Sequence, residues 1–401
     1  MRITHLHTLT AGLALVLATA ACGSDSSSDD DAGAPETTAA STDTTTGTST
    51  GTDAAGTAGY LTSVCPATIK IQLGWYPQPD PYAMVYGLLA PDGELDSEAA
   101  SYTSSALADP DQKIEVIGGG PLVGYQQVSA LLYTDSDILL GDVALDEAIA
   151  QSKTFPTVGV LAPFEKSPLG LMYNPDAVTL DSLEDVKESG TTVLAAAGQT
   201  SIAALVGLGK LDESQVDSSY TYSPAQFVAA DGDIAQQAFA TQEPYTYENA
   251  PFWGKATGVL LLADQGYPNY QNAMVVTPEN LEANGACLER LVPLMQQSMV
   301  DYFASPDATD TLIADLSDQL KNPTPVTVES EQFAHDVMSE DGLVANSAGT
   351  STFGLFDSTR VQDVIDVVSP VFEGSANFDP EVDPEALFTN DFLDPAIGFA
   401  Q

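Results

Sequence analysis

Apolar and polar positions alternate over Ile69, Ile71, Leu73 and Trp75 against Lys70, Gln72 and Gly74. That period of two predicts a strand. Pro77, Pro79 and Pro81 then forbid a strand or helix interior, so the chain must turn. Asp80 is placed to cap a following helix, and Pro81 suits its first position. Trp75, Tyr76, Asp80 and Tyr82 are thereby delivered to the C-terminal end of a strand and the N-terminal end of a helix. In open α/β sheets that edge is where ligands bind.

The same form recurs along the chain. Lys113–Ile117 reads as a strand ending in Gly118-Gly119-Gly120-Pro121, followed by helical spacing over Tyr125–Tyr133. Asp137–Leu140 is a strand ending in Gly141-Asp142, with a helix near Leu145–Ser152, and Thr157–Leu161 is a further strand. Leu169–Tyr173 is strand-like, and Ser182 to Asp185 fits a capping box. Thr192–Ala196 predicts a strand, and Gly198-Gln199-Thr200-Ser201 opens a helix to about Leu208. Tyr220 and Tyr222 lie on a short strand, and Asp233–Ala240 predicts a helix that Gln242-Glu243-Pro244-Tyr245 breaks. Asn272–Thr277 predicts a strand and Leu288–Phe303 a long amphipathic helix. The C-terminal third is mostly helical, with a Pro- and Asp-rich end from Phe378. Strands alternating with helices predict an α/β fold with mainly parallel sheets.

Charge narrows the function. The 401 residues carry 57 acids against 11 basic residues, a net charge of −46. Nucleic-acid binding is excluded as a reading, since neutralising phosphates needs Lys and Arg. Apolar content of 44% supports a folded, soluble body.

The first 22 residues carry an address. Arg2 and two histidines precede an apolar run, Leu9–Leu17, and small residues before Cys22. A basic start, a short apolar core and a small-residue cut site make a secretory signal. Ala18 to Cys22, followed by Gly23-Ser24-Asp25, resembles the bacterial lipoprotein lipobox, with Thr19 where that family prefers Leu. The resemblance implies cleavage after Ala21 and a diacylglyceryl thioether on Cys22. The alternative is a plain signal peptide that leaves Cys22 as a free thiol. Residues 23–59 are almost entirely Ser, Thr, Asp, Gly and Ala, with no aromatic residue. Such a segment cannot bury enough surface to fold and reads as a tether. Its reach as a flexible coil is roughly 30–35 Å.

Cys65 and Cys287 remain. Outside the cytosol an even pair suggests a disulfide, and two buried thiols are the alternative. Past the signal there is a single histidine, His335, and neither a GxSxG elbow nor an HExxH helix occurs. The acid pairs Asp231/Asp233 and Asp379/Asp383 read as solvated faces, and no calcium-loop pattern is complete. No cofactor and no metal site is expected.

In order along the chain stand QLGWYPQPDPY, KIEVIGGGP, ALLYTDSDILLGD, SLEDVKESGTTV and ATQEPYTYE. This ordered set, over about 67–304, resembles the substrate-binding lipoproteins of ABC importers for nitrate, sulfonates, taurine and the pyrimidine precursor of thiamine. The resemblance implies a two-lobed, type II periplasmic-binding-protein fold with a helical C-terminal extension. One lobe would take 60–167 and 246–401, the other 168–245, with crossings near Ser167 and Glu243. It further implies a monomer that is no enzyme. It would be lipid-anchored to the outer face of the bacterial cytoplasmic membrane, bind a small molecule and dock on an ABC permease with its ATPase.

The residues offer candidates for that capture. Trp75, Tyr76 and Tyr82 could stack on a planar ligand and Asp80 accept hydrogen bonds from an amine, against core packing and simple helix capping. Gly118, Gly119 and Gly120 let backbone approach a ligand, or form a plain turn. Gly198, Gln199, Thr200 and Ser201 place a helix N-terminus where it favours an anion, or merely cap it. Gly141, Asp142, Glu243 and Tyr245 lie at the cleft edge or a crossing in the resembling family. Basic residues near this set are few, Lys166 being closest to a crossing. Aromatic residues beside carboxylates suit a planar nitrogen heterocycle, such as a thiamine-type pyrimidine, better than an anion. A pyrimidine-synthesising enzyme relying on His335 and a non-transport surface receptor or scaffold are the rival readings.

Overall fold

Ile69 and Ile71 are wholly buried at the centre of the strand Thr68–Gln72. In this computed structural model, which describes residues 55–56, 58–324 and 326–400, the strand stops three residues earlier than its alternation suggests. The Leu73 amide still donates to the Ile117 carbonyl at 2.8 Å. The Gly74 amide turns instead to the Tyr82 hydroxyl and the Asp142 carboxylate, both at 3.0 Å. Trp75 therefore stands in the loop beyond the sheet. The leader, Cys22 and the tether lie outside the described residues.

Thr68–Gln72 is the middle strand of a seven-stranded sheet. It pairs in parallel with Asp109–Ile117 and with Ile138–Val143. Glu94–Asp96 and Ser101–Ala106 add antiparallel strands on one side. Ala273–Val276 and Val158–Leu161 add antiparallel strands on the other. A second sheet of five strands runs in the order Gly258–Leu261, Leu169–Tyr173, Ala235–Phe239, Val193–Ala196, Val216–Tyr220. Its last three strands are parallel and its first three antiparallel. The expectation of mainly parallel sheets is met at the centre of the larger sheet and at one end of the smaller, and amended elsewhere.

Two expectations need correction. Residues 233–240 were expected to be helical, yet Ala235–Phe239 is a strand with four of its five residues buried. Ala and Gln favour helix, but this segment lies between two other strands and bonds to both, and tertiary pairing overrides propensity. Its glutamines are satisfied: Gln236 bonds the Tyr220 and Tyr247 hydroxyls, and Gln237 accepts from the Ala196 amide at 3.0 Å. The second crossing also moves. Gly258–Leu261 still pairs in the smaller sheet, so the return to the larger one runs through 262–272 rather than near Glu243. The first crossing, 162–168, contains buried Ser167, whose hydroxyl accepts from the Leu169 amide.

The C-terminal third wraps this framework. Helix Gly285–Ala304 buries Leu288, Leu291, Val292, Met295 and Met299 against the core of the larger sheet. A disulfide joins its Cys287 to Cys65, 222 residues away. Helices Asp307–Gln319 and Val328–Glu340 pack on helix Pro79–Tyr86. Between them Asp310 and Glu331 are fully buried beside each other, with the Tyr302 hydroxyl next to Asp310. Burial beside Asp310 drives the Glu331 carboxyl far up, so that it keeps its proton next to the second carboxyl. Helix Ser358–Phe372 touches both Leu145–Ala150 and Thr200–Gly207, so one apolar cluster joins elements of the two sheets.

Candidate functional site

Five aromatic rings gather at the C-terminal edges of the two sheets. Trp75 and Tyr76 follow the strand Thr68–Gln72, Tyr125 follows the turn after Asp109–Ile117, and Tyr220 and Tyr222 close the strand Val216–Tyr220. Trp75 lies 6.3 Å from Tyr76, 6.2 Å from Tyr125 and 5.4 Å from Tyr222, between ring centroids. Tyr125 and Tyr222 are near parallel, at 14° and 6.5 Å, and Tyr220 lies 5.3 Å from Tyr222. Residues of the larger sheet thus meet residues of the smaller one ring to ring. Tyr76 and Tyr220 are buried behind, while Tyr125 and Tyr222 are 60% and 42% exposed.

Local sequence explains how the rings are held. A Cβ on Gly120 would sit 2.4 Å from the Trp75 ring, and one on Gly119 would sit 2.1 Å from the Leu73 carbonyl. The Gly119 amide donates to the Trp75 carbonyl at 2.9 Å. The run Gly118-Gly119-Gly120 therefore seats Trp75, which is the close approach its glycines permit. Tyr125 and Tyr222 both sit at left-handed backbone, φ 59° and 60°. For a non-glycine residue that conformation costs about 1–2 kcal/mol and concentrates at functional sites.

The carboxylates behind the rings divide in role. Glu243, at the start of helix Glu243–Asn249, accepts from the Phe239 amide at 2.8 Å. Burial pushes its carboxyl up to about 7, with the nearby Asp80 charge adding to the shift. Its charge acts on the Tyr220, Tyr222 and Tyr247 hydroxyls, whose pKa values burial already raises. Asp80 was expected to cap its helix. Instead it is wholly buried in an extended conformation inside Pro79–Tyr86, accepting from the Thr241 hydroxyl and from Gln242 Nε2 at 2.8 Å. Burial raises it to about 6 even against those two bonds. It ties the larger sheet's first helix to the end of a strand of the smaller sheet.

The remaining candidates fall elsewhere. Tyr82 is fully buried and donates to Asp142, so it cannot stack on a ligand in this state. Asp142 is also buried and accepts from the Gly74 amide at 3.0 Å and from Asn272 Nδ2 at 2.9 Å. Gly141 makes room for Val128 and Leu132 of helix Val128–Thr134. Tyr245 packs at 5.5 Å on Phe333 rather than on the ring cluster. His335 packs on Tyr302 and Phe303.

Helix Thr200–Gly207 begins without a side-chain cap, and the buried Ser201 hydroxyl has no partner. Its preceding strand pairs Ala196 with Tyr220, so the helix opens at the same sheet edge as the rings. Sequence reasoning missed the role of Tyr125, Tyr220 and Tyr222. Their signal was an aromatic residue beside a turn marker, Gly124-Tyr125 and Tyr222-Ser223-Pro224.

No family model and no curated protein matches the chain. Solved structures match it in fold. A protein from Bordetella bronchiseptica RB50 is 11% identical, with 82% of this chain and 96% of that one covered at a TM-score of 0.51. The periplasmic nitrate-binding protein NrtA from Synechocystis PCC 6803 is 11% identical, with 81% and 87% covered at 0.50. The periplasmic aliphatic sulphonate binding protein SsuA from Escherichia coli is 15% identical, with 80% and 91% covered at 0.49. At these identities the first two likenesses establish the α/β binding-protein fold alone, which is the fold that the sequence resemblance implied.

Proposed function

We propose that the chain is an extracytoplasmic solute-binding protein of an ABC importer. Its folded body hangs from a lipid on Cys22 by the 23–59 tether and acts as a monomer. It captures a small molecule between two lobes, 58–161 with 273–400 and 169–261, and docks the loaded form on a permease. The observation that carries this reading is the Trp75–Tyr222 contact at 5.4 Å, which joins residues of the two sheets through rings that solvent reaches. Rings supported from opposite sides suit a ligand that enters between them and is held by stacking. Glu243 supplies an acceptor for a donor group, so a planar nitrogen heterocycle fits better than an oxyanion.

A second reading has its own observation. The uncapped N-terminus of Thr200–Gly207 and the unpartnered Ser201 hydroxyl would suit nitrate or a sulfonate. A thermal-shift screen over pyrimidines, amines, sulfonates, nitrate and amino acids separates the two. A ligand at about 100-fold over its Kd adds roughly 2.7 kcal/mol of stability. The stacking reading expects that gain to vanish in Trp75→Ala and to survive Ser201→Ala. The reverse pattern moves the site to the helix N-terminus, and the absence of any gain removes the solute-binding reading.

A further inference from the structure

The charge around the rings carries the solute-binding reading one step further. Trp75, Tyr125 and Tyr222 present electron-rich faces at the sheet edges, backed by Tyr76 and Tyr220. Such faces attract a cation, most strongly where water is excluded. Among the described residues the cations found over rings lie elsewhere: Lys255 on Trp253, Arg290 on Tyr60 and Arg360 on Tyr270. Lys166, within the first crossing, pairs with Asp264 at 3.0 Å, and Arg360 bonds the Glu165, Pro268 and Asn269 carbonyls of both crossings. The ionisable groups that act on the tyrosines are Glu243 and other tyrosines.

We propose that the solute held by these rings is a small organic cation, either a quaternary or protonated ammonium or a positively charged nitrogen heterocycle. This rests on the solute-binding reading above and names the charge of its ligand. An anion at the rings would meet Glu243, with Asp80 behind it. A neutral ring would stack but leave the Glu243 charge uncompensated. A cation gains both the ring faces and the carboxylate. Groups facing Glu243 are Asp80 from helix Pro79–Tyr86, Tyr220 and Tyr222 from the strand Val216–Tyr220 and its turn, and Tyr247 from its own helix. Because its carboxyl is held near 7, protons compete with a bound cation as pH falls through that value.

The test is calorimetric titration of the protein with choline, tetramethylammonium and the N-methylnicotinamide cation. Each is set against an uncharged isostere, with nitrate and ethanesulfonate alongside. The expected result is cation binding about tenfold or more tighter than the isostere. That preference should shrink in Glu243→Gln, which keeps an acceptor for the Phe239 amide, and fade as pH is lowered through about 7. If Glu243→Gln does not fold, the cation–isostere comparison in the unaltered protein decides alone. Binding of an isostere or an anion equal to or better than every cation overturns the cation assignment and leaves solute capture standing. A panel in which nothing of any charge binds or perturbs Trp75 emission overturns both.

Discussion

The segment 75–82 divides into two halves with opposite fates. Trp75 is half-buried and spends its surface on rings from both sheets. Asp80 and Tyr82, a few residues on, are wholly buried and spend their polar atoms on Thr241, Gln242 and Asp142. All were candidates for touching a ligand. The difference is which groups still have unused capacity. A carboxylate or hydroxyl whose bonds are satisfied inside the protein is framework, because freeing it for a ligand would leave buried donors unpaired. A ring held by glycines at a sheet edge remains available on one face.

The comparison breaks most visibly at Asp142. Asp142→Ala strips the acceptor from the Tyr82 hydroxyl, the Gly74 amide and Asn272 at once. Urea unfolding should register a loss of roughly 3–5 kcal/mol, since each stranded buried donor is costly. A loss near zero would mean that the framework half is not framework.

Asp80 gives the next effect, through pH. Its carboxyl is raised from 3.8 to about 6 in the folded protein. A raised pKa means that the fold holds the proton more tightly than the unfolded chain does. The stability from that proton is therefore full below about pH 3.8 and is lost as pH rises through about 6. At about 1.36 kcal/mol per unit, the loss is roughly 3 kcal/mol. Asp80→Asn should flatten that part of the profile relative to the unaltered protein. Parallel profiles would place the titration elsewhere.

Glu331 titrates in the same sense and further up, since its folded carboxyl is driven far above 4.5 by burial and Asp310. Glu331→Gln should leave stability at mildly alkaline pH higher by about 1–3 kcal/mol, as an amide needs no proton to bond Asp310. A destabilised variant with an unchanged pH slope would contradict the raised Glu331 carboxyl.

The ring half should respond with small stability changes and large binding ones. Trp75→Ala should cost about 1–2 kcal/mol of stability yet abolish solute response. Smaller still is Tyr125→Gly, which relieves a left-handed backbone and removes a ring that is 60% exposed. Its thermal midpoint should stay level or rise, by up to about 1 kcal/mol equivalent, while affinity falls. A midpoint that drops sharply would make Tyr125 a packing residue.

Much of the framework was legible in the sequence because its strands are apolar runs closed by glycine or proline. Leu169–Tyr173, Ile138–Val143 and Thr68–Gln72 all stand within a few residues of where patterning put them. Ala235–Phe239 was illegible because its residues favour helix and its pairing partners are remote. The role of Asp80 was illegible for the same reason, its hydrogen-bond partners lying 161 and 162 residues away. The glycine run was legible as a close approach, but its neighbour is Trp75 rather than a ligand. Tyr222 was read as a strand residue without a role in capture, because its neighbour on the opposite wall, Trp75, is remote in sequence.

The most direct test of ring capture uses the emission of Trp75. The chain has two tryptophans, and Trp253 is buried against Phe227 away from the cluster. Trp253→Phe therefore leaves Trp75 as the sole reporter. Capture between the rings predicts that any solute raising the thermal midpoint also shifts or quenches Trp75 emission, with both effects lost in Tyr222→Leu. A solute that stabilises the protein while Trp75 emission and the Tyr222 variant remain unmoved would contradict the account.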